Sequence, residues 1–80
     1  MDPQDIARLI EQNLEGARAE VHTDGQGHYE AWVVCPAFAG KRSLQRHQLV
    51  YGTLGERVGR EIHALAVKTF TPEEWQARGA

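Results

Sequence analysis

Ile62-His63-Ala64-Leu65-Ala66-Val67-Lys68-Thr69-Phe70 is the stretch on which the fold turns. Its apolar run reads as a strand, and the segment before it decides how that strand joins a sheet. Upstream, Ser43 suits a helix cap, and Leu44, His47, Tyr51, Leu54 and Val58 follow at spacings of 3, 4, 3 and 4. That spacing lines up all five on one helical face, and Gly59 is placed to end the helix. Gly52 and Gly55 fall inside the pattern. Each weakens a helix by up to about 1 kcal/mol relative to alanine, which predicts close packing or a bend there. A helix between two strands permits a right-handed crossover, and the strands it joins are then parallel.

The other strand of that crossover is residues 28–35, His-Tyr-Glu-Ala-Trp-Val-Val-Cys, rich in aromatic and β-branched types and stopped by Pro36. Residues 37–42 form a loop. Before the strand, Gly25-Gln26-Gly27 supplies a tight turn, and the weakly alternating residues 19–24 become its antiparallel partner. Further out, Asp2 and Pro3 open a helix whose apolar face is Ile6, Leu9, Ile10 and Leu14, ending before Gly16. At the other end Thr71-Pro72-Glu73-Glu74 is a capping box, followed by a short helix anchored by Trp75. The order is α-β-β-α-β-α. An α+β domain spanning residues 1–80 follows, with a three-stranded mixed sheet and helices packed on one face.

Eighty residues bury only about 60% of their unfolded surface, leaving little room for an internal catalytic cleft. Apolar residues make up 41% and charged residues 25%, ordinary for a soluble domain. No apolar run approaches the roughly 20 residues that span a bilayer, and the acidic N-terminus does not read as a signal peptide. One cysteine excludes an internal disulfide and fits a reducing, cytoplasmic location. The net charge is −2, yet residues 41–60 carry Lys41, Arg42, Arg46, Arg57 and Arg60 against only Glu56. Such a patch fits an acidic protein partner, a small anion or weak nucleic-acid contact, rather than a dedicated high-affinity DNA binder.

Taken together, His28-Tyr29, Phe38-Ala39-Gly40-Lys41, Arg46-His47-Gln48-Leu49-Val50-Tyr51, Ile62-His63-Ala64-Leu65 and Thr71-Pro72-Glu73-Glu74-Trp75 resemble the BolA family over nearly the whole chain. The short hairpin turn and the Tyr51-Gly52 step look closest to its IbaG (YrbA-like) branch. The resemblance implies an αββαβα fold related to class II KH domains. It implies a non-enzymatic partner of monothiol glutaredoxins, with a glutathione-ligated [2Fe-2S] cluster bridging the two proteins and none expected in the isolated chain. Alone, the chain is then a monomer or weak homodimer. Iron-sulfur trafficking or iron sensing is the implied role, and the family is also linked to transcriptional control and stress responses.

In that family the histidine matching His63 ligates the cluster, and a His or Cys of the first hairpin loop supplies a second ligand. Asp24-Gly25-Gln26-Gly27 contains neither. The residues themselves point to His28, because parallel strands two and three begin at the same end of the sheet, about 4.8 Å apart. His22 on the opposing strand is the alternative. Imidazole suits iron, and histidine in place of thiolate raises a cluster's potential and can be protonated off.

Cys35 reads as a small core hydrophobe, a redox enzyme acting through it being the weakest of the functional readings. His47, on the apolar stripe, reads as a buried, hydrogen-bonded structural residue, and Phe38, Tyr51 and Trp75 as packing residues. Lys41, Arg42 and Arg46 form the expected partner or nucleic-acid surface. Gly52-Thr53-Leu54-Gly55 matches the GxxG of KH domains but lies in a helical pattern without a basic residue between the glycines, and reads as helix packing. The rival to cluster sharing is a nucleic-acid-binding regulator using the sheet, the central helix and residues 41–46.

Overall fold

The structure, a computed structural model, describes residues 1–79. Helix α1 (Pro3–Asn13) is followed by strands β1 (Arg18–Thr23) and β2 (His28–Val34), helix α2 (Ser43–Leu54), strand β3 (Ala64–Phe70) and helix α3 (Pro72–Gly79). The sheet order is β1-β2-β3, with β1 antiparallel and β3 parallel to the central β2. The expected crossover and mixed sheet are therefore present.

Alternation along the strands sends Tyr29, Ala31, Val33, Leu65 and Val67 to one face. There they meet Ile6 and Ile10 of α1 and Val50 and Leu54 of α2, with Phe38 and Ile62 filling the ends of the core. Asp2 caps α1 by accepting from the Gln4 amide at 2.8 Å. Helix α3 closes the end at which β2 and β3 finish. Thr71 and Glu74 exchange side-chain-to-backbone hydrogen bonds of 2.8 and 3.1 Å, as a capping box should.

Besides a one-residue shift of β1 and a one-residue shortening of β2, three boundaries differ from expectation. Helix α2 stops at Leu54 rather than before Gly59, because Gly55 takes a φ of +57° and leaves the right-handed region first. Its first turn is capped from Arg42, whose backbone amide donates to the Gln45 side chain, so Ser43 is the first helical residue and not the cap. Strand β3 begins at Ala64. Ile62, fully buried, instead pairs with Val58 in an isolated bridge that folds residues 57–62 into a tight loop.

The stripe on α2 is also rotated. Leu44 is 69% exposed, whereas Val50 and Leu54 are buried and Leu49 packs against them. A side chain added at Gly52 would meet nothing within 4 Å, which removes the expected reason of close packing. Gly52→Ala should accordingly stabilise the protein by about 0.5–1 kcal/mol, measured as a shift of the urea midpoint at constant slope.

Arg46 reaches from α2 to α3, with Nη1 and Nη2 donating to the two carboxylate oxygens of Glu74 at 2.7 and 3.3 Å and Nε donating to the Lys41 carbonyl at 2.9 Å. Its side chain is only 13% exposed. The Arg46 guanidinium, followed by the Thr71 amide, holds the Glu74 carboxyl below the ordinary carboxylate range. A depressed acid stabilises the fold above its ordinary pKa, and that contribution disappears as pH falls through the lowered value. Acid titration followed by tryptophan fluorescence should show α3 loosening there in the parent, and Glu74→Gln should remove that step.

Candidate functional site

The hairpin turn and the approach to β3 lie side by side at one rim of the sheet. Thr23 and Asp24 build the turn: Thr23 Oγ1 donates to the His28 carbonyl at 2.8 Å, and Asp24 Oδ1 accepts from the Gln26 amide at 2.7 Å. Gly25 and Gly27 occupy φ values of +81° and +87°, open to glycine at no steric cost. Strand register pairs His28 with Ala64, and the Ala64 amide donates to the Gly27 carbonyl at 3.2 Å. His63 therefore arrives directly against the turn.

The contact is close. A Cβ built on Gly27 would lie 2.6 Å from His63 Cδ2, so the imidazole rests on the bare glycine backbone. His63 itself is exposed, in the bend preceding β3 rather than within a strand. This corrects the expectation of a histidine embedded in an apolar strand: the core position next to it belongs to Ile62, and His63 faces outward. Gly27→Ala would meet both a left-handed φ and the ring. It should cost roughly 1–2 kcal/mol from the backbone alone, and the proton chemical shifts of the His63 ring should show its environment displaced.

His28 is exposed at the start of β2, and its Nδ1 lies 2.8 Å from Asp24 Oδ2. The Gln26 amide first, and the His28 ring second, hold the Asp24 carboxyl below the usual range. A neutral imidazole that donates Nδ1–H to a carboxylate keeps its lone pair on Nε2, the arrangement in which histidines commonly meet metals. His22 lies on the same face as His28, opposite Glu30, with Nε2 3.1 Å from Glu20 Oε1. Among the described residues no group of three His, Cys, Asp or Glu side chains converges to hold a metal. His63 and His28 lie at the same end of the parallel strand pair, the register setting Ala64, the neighbour of His63, opposite His28.

The remaining candidates sort differently. Cys35 is fully buried, with Sγ 3.4 Å from the Glu15 carbonyl oxygen, a core position. Phe38 is fully buried, and the Arg46 guanidinium lies 5.8 Å from its ring centroid. Tyr51 donates from its hydroxyl to the Leu65 carbonyl at 2.7 Å, tying α2 to the edge strand β3. His47 is half-buried rather than buried. Lys41 and Arg42 are exposed as expected, but Arg46 is not part of their surface because its guanidinium is given to Glu74. GxxG occupies the end of α2, where Gly55 terminates the helix. Sequence reasoning missed Asp24; its only signal was its place as the first residue of a turn that opens four positions before His28.

A small α+β domain with an αββαβα order, and with β3 parallel to a β2 that is antiparallel to β1, defines the class. The family model described as BolA-like protein matches residues 8–74, and the chain belongs to that family. It is 43% identical to a Haemophilus influenzae protein named DNA-binding transcriptional regulator BolA, over 91% of this chain and 84% of that one. It is 40% identical to the Escherichia coli acid stress protein IbaG over 70% of this chain and 69% of the relative. Relatives of both names are thus found. The solved structure of a BolA protein homologue from Coxiella burnetii superposes with a TM-score of 0.85 at 43% identity, covering 95% of this chain and 97% of that one. Other curated relatives are longer: the match spans 59% of the Escherichia coli regulator BolA and 50% of human BolA-like protein 1. Among the described residues no helix is long and apolar enough to cross a membrane.

Proposed function

We propose that the chain is a non-enzymatic binding module that docks on a monothiol glutaredoxin. There it lends His63, with His28 as its second donor, to a [2Fe-2S] cluster shared with glutathione, in iron-sulfur trafficking or iron sensing. The observation that carries this reading is the exposed His63 ring seated on Gly27, one residue from the point where β3 aligns with His28. Bound there, such a cluster would supply a redox-active, transferable iron centre with a raised potential. The chain's own contribution is to present two imidazoles on a rigid rim. Gly27 gives His63 room, and Asp24 fixes the ring of His28. His22 remains the alternative second donor.

Mixing the protein with glutaredoxin, glutathione, iron and sulfide should give a coloured heterodimer. Its visible absorption and circular dichroism should change with His28→Ala, and an unchanged spectrum would transfer the second-donor role to His22. Failure to form any coloured heterodimer would sink the reading.

The second reading is weak nucleic-acid binding in a transcriptional or stress-regulatory role. Three relatives' names include DNA binding, and Lys41 and Arg42 are exposed on adjoining positions. A gel shift that weakens with salt and is lost on replacing both residues would support it.

A further inference from the structure

The sheet face turned away from α1 and α2 is not bare. Trp32 of β2 and Phe70 of β3 stack there with ring centroids 6.0 Å apart and an interplanar angle of 22°. Trp75 of α3 meets them edge-on, at 6.2 Å from Trp32 and 5.2 Å from Phe70. The three rings surround a single cation. Arg78 Cζ lies 4.6 Å from the Trp32 centroid, 4.9 Å from Trp75 and 5.3 Å from Phe70, all within the roughly 6 Å over which a ring face attracts a cation. All three aromatic residues are only half-buried, so their surface is shared between the fold and the solvent.

A groove of about 580 Å³ runs alongside, sharing Trp32 and Trp75 with this cage and bordered by Glu11, Glu20 and Arg18. That volume lies in the range of sites that take small ligands or single side chains. Glu30 adds a further carboxylate, accepting from Trp32 Nε1 at 2.6 Å. Lys68, at 4.6 Å, touches only the Trp32 ring, whereas the flat guanidinium of Arg78 touches three. The walls are therefore shaped for a planar cation with acidic groups nearby, and the chain fills them with its own side chain from the last turn of a helix of eight residues.

We propose that this aromatic cage is a recognition site for an arginine side chain of a partner peptide, and that Arg78 is its built-in competitor. Stacking and charge select arginine over lysine, since guanidinium is planar and less strongly hydrated than ammonium. The site lies on the sheet face opposite α1 and α2 and does not depend on metal sharing at the rim.

The probe is the blocked tripeptide Gly-Arg-Gly, with Gly-Lys-Gly as comparator, titrated into the full chain. The readout is the indole N–H NMR signals of its two tryptophans, Trp32 and Trp75. A saturable shift with the arginine peptide, weaker with lysine, is expected. Arg78→Gln should tighten the arginine peptide by about two- to fivefold, and Trp32→Leu added to it should abolish binding. Circular dichroism checks that α3 persists; if Arg78→Gln frays it, Arg78→Lys, which keeps the charge and the helix propensity, should still bind tighter than the parent. No saturable shift in any variant, or equal affinity with and without Arg78 in folded protein, overturns the proposal. The aromatic cluster would then be only the anchor of α3.

Discussion

Alanine at position 63 should leave the fold intact and strip the heterodimer of its visible spectrum. The first half follows from burial. His63 is exposed, so its truncation opens no cavity, and a surface change of this kind ordinarily moves stability by under about 0.5 kcal/mol. The second half follows from the proposed donor set. With one of two imidazoles gone, His28 cannot hold the shared iron alone, and retention of the coloured species on gel filtration should fall at least about tenfold, the effect of about 1.4 kcal/mol in binding. His63→Cys is the complementary variant. It keeps a ligand but replaces imidazole with thiolate, so colour should survive while the reduction potential drops. A spectrum indifferent to both variants would leave His63 without a role in the centre.

Phe38→Ala should be the most destabilising of the predicted substitutions, by about 3–5 kcal/mol, because a fully buried ring is removed from a core with few other large side chains. For a domain of this size each kcal/mol is worth about 4–8 °C in Tm, so the variant should lose tens of degrees or fail to fold at 37 °C. The effect has a second part. Phe38 takes the Arg46 guanidinium over its ring, and Arg46 in turn donates to the Lys41 carbonyl, so the loop carrying Lys41 and Arg42 loses a support with the ring. Thermal unfolding by circular dichroism gives the first number. A Phe38→Leu control, which fills most of the volume, should recover the larger share of it.

The hairpin was legible because Gly25 and Gly27 bracket a turn ahead of a β-branched run, and both do take positive φ. The crossover was legible because a helix-period segment separates two strand-like ones, and the parallel register of β2 and β3 follows. From that topology alone His28 and His63 could be placed at one end of the sheet. Boundaries were harder. Gly55 and Gly59 are both left-handed and either could have ended α2; apolar periodicity continuing to Val58 favoured the later one, and the backbone turned at the earlier.

Contacts between residues far apart in sequence had no local signature. Glu74 was readable as half of a capping box, but nothing near it shows that the same carboxylate also takes Arg46, 28 positions away. The aromatic cluster likewise joins Trp32, Phe70 and Trp75 from three elements. Asp24 and His28 are only four residues apart, yet their pairing depends on how tightly the turn closes.

The bond from the Ala64 amide to the Gly27 carbonyl joins two halves of the chain that meet only once α2 has packed. Closing so long a loop is entropically late work, and such distant pairings tend to set the pace of folding. The first hairpin by itself already carries His22 and His28, whereas His63 reaches its place on Gly27 only when the crossover closes. The seat of that ring is thereby a late product of folding rather than a property of the hairpin.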